Sequence, residues 1–228
     1  MSRLAGQCIV GEPIVHGMNP LTLVGGSDLS RTVLNICLSV APSVVAADGG
    51  ADACLSAGVT PLAVIGDMDS LSDRARESFA DRLYPVTGQD DTDFEKCLSR
   101  IDAPLVLAAG FLGGRLDHTL SVLNVIWRRR AAQVVLVGEV DAVVLIDRQA
   151  TLDIAPGARM ALLPLAPVRV TTTGLRWDLQ GQELSPVGLV SSSNEAAGSC
   201  VTITPEAPVF LSLPLAHLDA VTAVVRAR

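Results

Sequence analysis

Short apolar segments alternate with helix-like segments between residues 20 and 140 of the chain. The six apolar runs are Leu21–Val24, Ser43–Ala47, Leu62–Ile65, Leu83–Val86, Leu105–Ala109 and Val134–Val137. Strands that are separated by helices pair in parallel, and helices cover both faces of the resulting sheet. Because aromatic residues make up only 3% of the chain, its core must consist of Val, Leu, Ile and Ala, which suits buried parallel strands. The pattern predicts an N-terminal α/β domain with a Rossmann-like parallel sheet.

After residue 150 the helical pattern disappears, and short β-branched segments bounded by Pro, Gly and Asn take its place. They are Thr151–Ile154, Arg159–Pro164, Val168–Thr173, Leu189–Ser192, Cys200–Thr204 and Val209–Leu213. This spacing is typical of an antiparallel sandwich or a barrel-like domain. We therefore predict an α/β domain over residues 1–146 and a C-terminal antiparallel β-sandwich domain over residues 147–228. The pattern leaves open whether residues 215–228 form a strand or a helix, and whether Ile9–Val15 pairs with the second domain.

The bulk composition excludes several classes of protein. A net charge of −7 disfavours a nucleic-acid-binding protein, which needs clustered Lys and Arg. Apolar runs are too short to span a membrane, and the N-terminus lacks a secretion signal, so we expect a cytoplasmic protein with no membrane partner. The five cysteines are scattered without a Cys-x-x-Cys pair, which favours buried free thiols over a disulfide framework or a zinc site.

Acidic residues follow several of the predicted strands. Four of the predicted strands are followed, within a few residues of their carboxyl ends, by aspartates. Asp67 and Asp69 follow the same strand, and three other strands are followed by Asp48, Asp93 and Asp117. These ends share one edge of an open parallel sheet, where ligands bind. Two unit charges about 4 Å apart repel by roughly 4 kcal/mol at an effective dielectric constant of 20, so a cation is required between them. Oxygen ligands without His or Cys indicate Mg²⁺.

Glycines and cations accompany these acids. Gly49-Gly50 and Gly113-Gly114 lack Cβ atoms at places where backbone N–H groups can approach phosphate oxygens. Arg115 offers a planar fork for phosphate, and Lys96, the only lysine beside 16 arginines, offers a point charge. The chain has no phosphate-binding P-loop motif and no protein-kinase motif. These residues by themselves indicate a Mg²⁺-dependent enzyme that acts on a phosphate-rich ligand.

Local signals also predict three helix features. Ser70-x-x-Asp73 and Thr92-x-x-Glu95 match the capping box that starts a helix. Leu116, Leu120, Leu123 and Trp127 recur at helical spacing and predict one apolar face. Arg128–Arg130 ends that helix, where we expect solvated cations.

Four segments together resemble the thiamine pyrophosphokinase family over about residues 20 to 140. They are Ala47-Asp48-Gly49-Gly50-Ala51, Gly66-Asp67-Met68-Asp69-Ser70, Gln89-Asp90-Asp91-Thr92-Asp93-Phe94-Glu95-Lys96 and Gly113-Gly114-Arg115-Leu116-Asp117-His118. The second half adds Gly174-Leu175-Arg176-Trp177 and Ser191-Ser192-Ser193-Asn194, which resemble the family's thiamine-binding β-domain. Asp91 departs from the pattern, since many relatives carry a small residue there.

The resemblance implies a role for each matching position. The metal-holding set would be Asp48, Asp67, Asp69 and Asp93. The phosphate and nucleotide contacts would come from Gly49, Gly50, Gln89, Thr92, Lys96, Arg115 and His118. The thiamine contacts would come from Asp117, Trp177, Ser192, Ser193 and Asn194, and a tryptophan buried in the sandwich core is the alternative for Trp177. The catalytic group would be Asp69, Asp93, Asp117 and Arg115, and either Asp117 or Asp69 would take the hydroxyl proton.

The activity that the resemblance implies is transfer of pyrophosphate from ATP to the hydroxyl of thiamine, giving thiamine diphosphate and AMP. Mg²⁺ is the implied cofactor, ATP and thiamine are the substrates, and a homodimer is the implied assembly. Two alternatives stay open from sequence. One is a related pyrophosphokinase with another acceptor, such as a hydroxymethyl pterin, and the other is a non-catalytic Mg-nucleotide-binding protein.

Overall fold

The computed structural model describes residues 13–86, 88 and 91–228. Its strands are β1 (Val15–His16), β2 (Leu21–Val24), β3 (Ser43–Ala47), β4 (Ala63–Gly66), β5 (Leu83–Pro85), β6 (Ile101–Asp102), β7 (Val106–Ala109), β8 (Val134–Val137), β9 (Asp141–Ile146), β10 (Ala150–Asp153), β11 (Arg159–Leu163), β12 (Val168–Thr173), β13 (Gln180–Leu184), β14 (Ser191–Glu195), β15 (Cys200–Pro205) and β16 (Val209–Pro214). Its α-helices are α1 (Arg31–Val40), α2 (Gly50–Ala57), α3 (Asp73–Ser78), α4 (Asp93–Leu98), α5 (Leu116–Arg129) and α6 (Leu218–Arg226).

A ten-stranded mixed sheet runs through the molecule in the order β14-β11-β16-β9-β8-β7-β2-β3-β4-β5. The six strands from β8 to β5 pair in parallel, and they match the six apolar runs of the sequence to within one residue at each end. The strands from β14 to β8 pair antiparallel. A second, four-stranded antiparallel sheet has the order β10-β15-β12-β13. The predicted α/β class, with a separate antiparallel sheet in the second half, is confirmed.

Strand β9 is the element that joins the two halves. The sequence pattern did not predict it, and it pairs with β8 on one side and with β16 on the other. Strands from both sides of residue 146 therefore belong to one continuous sheet. This sheet crosses the predicted boundary at residue 146. The division into domains of residues 1–146 and 147–228 stays a prediction.

Helices cover both faces of the parallel strands, and the antiparallel sheets share a core. One cluster of buried residues lies between the parallel sheet and helices α4 and α5, and a second lies between that sheet and α2 and α3. The third and largest cluster combines β10, β12 and β15 of the small sheet with β9, β11 and β16 of the large one and with α6. Burial of these Val, Leu, Ile and Ala side chains is the main stabilising contribution to the fold.

Two local predictions require correction. Helix α3 begins after Ser72, whose side chain accepts a hydrogen bond from the Ala75 amide, so Ser70 is not the capping residue. In α5, Leu116 is 72% exposed and Leu120 is 53% exposed, and neither belongs to the buried face that was predicted. The first turns of α5 lie beyond the part of the helix that reaches the sheet, and only its later turns are covered.

The two ends of the described chain settle points that the sequence left open. Residues Leu218–Arg226 form a helix, and its apolar face packs into the largest core cluster. Val15 pairs in parallel with Ile101, in the first half of the chain, while residues 9–12 lie outside the described range. Among the described cysteines, Cys37, Cys54 and Cys97 are buried free thiols, as predicted, whereas Cys200 is exposed. None of the helices in the described ranges has the length and apolar character that crossing a bilayer demands.

Candidate active site

A cleft of about 700 Å³ opens at the carboxyl ends of the parallel strands. Loops that follow β2, β3, β4 and β7 line it, together with the start of α4 and the first turns of α5. This is the edge at which an open α/β sheet binds ligands. The predicted convergence of loops that are distant in sequence is therefore observed.

Three carboxylates meet in this region. One oxygen atom each from Asp48, Asp67 and Asp93 lies within 4.8 Å of the other two. Asp48 follows β3, Asp67 follows β4 and Asp93 begins α4, so three separate elements supply the group. The crowding of negative charge that the sequence implied is thus present for these three residues.

Asp48 is the buried member of this group, with 2% of its surface exposed. Its Oδ2 atom accepts a hydrogen bond of 3.1 Å from the Ser70 amide, whereas its buried Oδ1 atom has no hydrogen-bond partner within the described residues. Burial raises the pKa of Asp48 above its usual value, and the nearby Asp93, Asp67 and Asp69 carboxylates add to that rise, against the Ser70 hydrogen bond. An unpartnered buried carboxylate oxygen beside two further carboxylates fits a hard divalent cation such as Mg²⁺.

Lys96 places its ammonium against two of these acids. Its Nζ atom donates to Asp67 Oδ2 at 2.8 Å and to Asp93 Oδ1 at 3.0 Å, and its side chain is only 4% exposed. Burial opposes the charge on this side chain, but the hydrogen bonds to both carboxylates raise the pKa of Lys96 above its ordinary value. The pKa of Asp67 is lowered, chiefly by the same hydrogen bond. One ammonium cannot balance three carboxylates, so the cluster can still accept positive charge.

The loop between Asp67 and Asp69 has an unusual backbone. Met68 has a φ angle of +69°, which is rare for a residue with a side chain and costs about 1–3 kcal/mol. A guanidinium nitrogen of Arg76 donates to the Met68 carbonyl oxygen at 2.6 Å and so helps to hold this conformation. Met68 thus lies between two acids of the predicted metal site, Asp67 and Asp69.

Asp69 takes a different place from the other predicted metal ligands. It is exposed, and its Oδ1 atom accepts a hydrogen bond of 2.9 Å from the Ser70 hydroxyl. It contributes to the raised pKa of Asp48 but no oxygen of Asp69 belongs to the group of three. Its metal-binding and catalytic roles therefore stay predictions.

Arg115, Asp117 and His118 lie at the start of α5, and Asp117 is not among the residues that line the cleft. Arg115 donates to Asp117 through two nitrogen atoms, at 3.2 Å and 2.6 Å, and both side chains are exposed. Hydrogen bonding from Arg115 lowers the pKa of Asp117, so that carboxylate is ionised at neutral pH. Arg115, His118 and Thr92 line the cleft. The Thr92 hydroxyl accepts a hydrogen bond from the Glu95 amide at the start of α4.

Glycine occupies these loop positions for different structural reasons. A Cβ atom on Gly50 would lie 2.1 Å from the Val24 carbonyl oxygen, so the approach of α2 to β2 requires glycine there. Gly49 lines the cleft itself. Gly113 and Gly114 have φ angles of +86° and +63°, which glycine adopts at the lowest cost.

The structure adds residues that sequence reasoning did not select. Gly26, Ser27 and Asp28 line the cleft directly after β2, and Phe111 and Ser121 line it from the side of α5. The Gly26–Asp28 segment follows a predicted strand at the same sheet edge as the acids, so the same rule would have found it. Gln89 lies outside the described residues, and its phosphate role stays a prediction.

A second, smaller pocket of about 360 Å³ lies on the antiparallel half of the molecule. Its lining comprises Trp177, Leu179 and the continuous segment of residues 189–194. Trp177 is 55% exposed, which contradicts the alternative that placed it in a sandwich core. The guanidinium of Arg176 stacks 4.7 Å from the centroid of the Trp177 ring. The predicted thiamine contacts of the second half are therefore gathered at one pocket, although Asp117 is not among its lining residues.

Asn194 holds the backbone of Trp177. Its Nδ2 atom donates to the Trp177 carbonyl at 2.8 Å, and its Oδ1 atom accepts from the Trp177 amide at 3.2 Å. Asn194 is buried and belongs to strand β14, and Ser192 and Ser193 belong to the same strand. Ser193 has a φ angle of +56° and interrupts the regular strand conformation there.

Comparison with known proteins gives concordant matches for both halves of the chain. The family model described as "Thiamin pyrophosphokinase, catalytic domain" matches residues 34–137, and the model described as "Thiamin pyrophosphokinase, vitamin B1 binding domain" matches residues 148–210. Thiamine pyrophosphokinase 1 of rice is 30% identical over 175 residues, which are 68% of this chain and 66% of that protein. Thiamine pyrophosphokinase 2 of Arabidopsis thaliana is 29% identical over 180 residues, which are 68% of this chain and 66% of that protein.

Solved structures show the same fold at lower identity. Thiamin pyrophosphokinase from Candida albicans superimposes with a TM-score of 0.76 at 16% identity, covering 87% of this chain and 92% of that one. Thiamin pyrophosphokinase from Geobacillus thermodenitrificans gives a TM-score of 0.73 at 22% identity, covering 86% and 96% of the two chains. These likenesses establish the mixed α/β architecture with its added antiparallel sheet.

The fold and the cleft define a class: an α/β protein with an acidic, glycine-lined site at the carboxyl edge of its parallel strands. Within that class, the two family models together cover most of the described chain. The chain belongs to the thiamine pyrophosphokinase family. Its matches span 66% of the length of the two plant relatives.

Proposed function

We propose that this chain transfers a pyrophosphoryl group from ATP to the hydroxyl of thiamine, giving thiamine diphosphate and AMP. The observation that carries the proposal is the meeting of Asp48, Asp67 and Asp93, from three separate elements, in a chain that matches both domains of the family. A buried carboxylate oxygen without a partner fits both a catalytic and a non-catalytic Mg-nucleotide site, and release of AMP distinguishes the two. The cytoplasmic location stays a prediction.

Asp48, Asp67 and Asp93 would hold Mg²⁺, which neutralises phosphate charge and aligns the group to be transferred. Lys96 and Arg115 supply the remaining positive charge at the cleft, from its base and its rim. Asp117 is one candidate to accept the proton of the thiamine hydroxyl, and the hydrogen bond from Arg115 that lowers its pKa makes it a weaker base. Asp69 remains the second candidate for that proton.

The acceptor is the part of the proposal that an assay decides most directly. Purified chain, Mg²⁺ and ATP are incubated with thiamine or with a hydroxymethyl pterin, and AMP is measured in both reactions. We expect AMP to form with thiamine and not with the pterin. AMP formation with the pterin alone would assign the other acceptor, and its absence with both would support the non-catalytic alternative.

We also propose that the thiamine ring stacks on Trp177. A tryptophan ring contributes up to about 2 kcal/mol to binding of a desolvated cation, and the thiazolium ring carries such a charge. Trp177→Ala is therefore expected to raise the KM for thiamine by about tenfold or more, because each 1.4 kcal/mol is a factor of ten. The KM for ATP should not change. Trp177→Phe, which keeps an aromatic face, is the matched control, and equal KM values for thiamine in all three proteins would contradict the assignment.

The final part of the proposal is a homodimer in which the Trp177 pocket, on a sandwich-like pair of antiparallel sheets, completes the partner's Rossmann-like cleft. Subunits carrying Asp48→Asn and Trp177→Ala are mixed under conditions that exchange subunits. A shared site restores roughly a quarter of wild-type activity, because half of the dimers then hold one intact site. At a thiamine concentration well below the raised KM of Trp177→Ala, sites contained within single subunits would give no more activity than the two variants measured separately.

A further inference from the structure

Helix α4 carries two residues of the acidic site, yet it is only six residues long, from Asp93 to Leu98. Helices of this length are not stable on their own, so tertiary contacts must hold it in place. Asp93 and Lys96 both point into the cluster of carboxylates. The position of the helix therefore sets the geometry of the cluster.

The side chain between them has a different partner from the one predicted. In a capping box, Glu95 would reach back to the amide of Thr92. Only half of that motif forms, since the Thr92 hydroxyl accepts the Glu95 amide at 3.3 Å. The Glu95 carboxylate instead accepts hydrogen bonds from Arg128 at 2.6 Å and from Arg129 at 2.8 Å.

These two arginines correct a second prediction. Arg128–Arg130 was expected to be a solvated helix end, but the Arg129 side chain is 15% exposed and the Glu95 side chain is 4% exposed. A buried carboxylate with two guanidinium partners is a specific link, because removing either side leaves a buried charge unpaired. It joins the start of α4 to the end of α5.

We propose that Glu95 is a positioning residue, which through Arg128 and Arg129 holds α4 so that Asp93 and Lys96 meet Asp67 and Asp48. The proposal rests on the proposed function of this cluster as a divalent-metal site. The other contacts of α4 act on different sides: Phe94 packs edge-on against Phe111, with ring centroids 4.8 Å apart. The Cys97 thiol faces the Ile65 carbonyl at 3.5 Å, a weak contact. Glu95 supplies the charged link of the helix to α5.

The test compares Glu95→Gln with Arg129→Gln, which break the same link from opposite ends. The dissociation constant for Mn²⁺ is measured by calorimetry on the full chain without nucleotide. Positioning predicts that both variants weaken Mn²⁺ binding by about tenfold, the usual effect of losing a residue that supports a metal ligand. A purely electrostatic influence predicts opposite signs, since one variant removes a negative charge and the other a positive charge.

Asp147→Asn is the matched control. Asp147 also lies between two arginines, 2.9 Å from Arg228 and 3.6 Å from Arg148, and it does not line the cleft. This variant should lose stability without a change in Mn²⁺ affinity. If Glu95→Gln does not fold, Arg128→Gln replaces it, because Arg128 is half-exposed and its loss keeps the bond from Arg129. We expect that variant to bind Mn²⁺ about threefold more weakly.

Opposite changes in Mn²⁺ affinity, or no change in either variant, would overturn the positioning role. Formation of AMP from ATP and thiamine is measured in parallel on the wild-type chain. Mn²⁺ binding without AMP formation would overturn the proposed function and leave the comparison of variants decisive for Glu95. A wild-type chain that binds no Mn²⁺ would overturn both.

Discussion

Asp48→Asn is expected to lower turnover by about two orders of magnitude or more, because a carboxylate that holds the metal stabilises developing charge by several kcal/mol. Asparagine has nearly the same shape and accepts the positive φ of 40° at this position. Its side-chain oxygen can still accept the hydrogen bond from the Ser70 amide. The loss should therefore come from chemistry and not from unfolding.

Stability measurements separate these two explanations. The folded-state pKa of Asp48 is raised, so its ionised form destabilises the fold, and this cost develops as the pH rises from the ordinary carboxyl value through the raised one. Without divalent metal, Asp48→Asn should be at least as stable as the wild type at neutral pH, and the difference should vanish at lower pH. Added Mg²⁺ should stabilise the wild type more than the variant.

Asp81→Asn is the control, since Asp81 is an exposed acid whose one ion pair among the described residues is with Arg82 at 3.8 Å. It should change neither turnover nor the response to Mg²⁺. Near-wild-type turnover in Asp48→Asn would refute the metal assignment for this residue. A large loss of stability would instead mean that Asp48 is mainly structural.

Lys96→Met is expected to reduce turnover by about 100-fold or more, comparable with removal of a key charged donor from other active sites. The variant leaves Asp67 and Asp93 close together without their ammonium. Loss of one partner from such hydrogen bonds destabilises the fold by about 1–3 kcal/mol, with the lower end favoured because both carboxylates are partly exposed. Mg²⁺ should recover part of this stability by supplying positive charge.

The stability difference between wild type and Lys96→Met should depend on pH in a defined direction. The pKa of Asp67 is lowered, so its contribution is complete above the ordinary carboxyl value and is lost as the pH falls through the folded value. The pKa of Lys96 is raised, so its contribution is lost only as the pH rises through a value above 10.5. Urea unfolding at pH values from about 3 to about 9 measures the difference in free energy of unfolding between the wild type and Lys96→Met.

Lys96→Arg keeps the positive charge and tests whether the shape of the charged group matters. A planar guanidinium differs from a compact ammonium, and the side chain at this position is almost fully buried. We expect an increased KM for ATP or a reduced rate, with smaller loss of stability than in Lys96→Met. Unchanged kinetics in Lys96→Arg would mean that the position needs only a positive charge, and unchanged kinetics in Lys96→Met would exclude any role for it.

The regular pattern of the chain determined much of the fold. The six parallel strands are predicted because each is a short apolar run, and Gly or Asp directly follows five of the six. Strand β9 was not predicted, although residues 142–146 form an apolar run that Gly138 and Glu139 separate from β8, so the same rule would have found it. Its pairing with β16, which is distant in the chain, joins the parallel and the antiparallel strands of the ten-stranded sheet.

The candidate site divides in the same way. Asp48, Asp67 and Asp93 were identified from sequence because parallel strands bring their carboxyl ends to one edge, a rule that needs no coordinates. Whether Asp69 joins them, and whether Lys96 faces phosphate or the acids, depends on side-chain directions within single turns. Sequence spacing does not specify those directions. The position of Asp69 outside the group of three could therefore not be predicted from the sequence.

By itself the sequence determined the class of fold, the edge that carries the site and the chemical character of that site, because each follows from local patterns of apolar, acidic and glycine residues. Tertiary structure alone decided the burial of Asp48, the exposure of Trp177 and the pairing of Glu95 with Arg128 and Arg129. These properties depend on which distant elements pack against each side chain, and packing sets the desolvation and the hydrogen-bond partners that a local pattern does not contain.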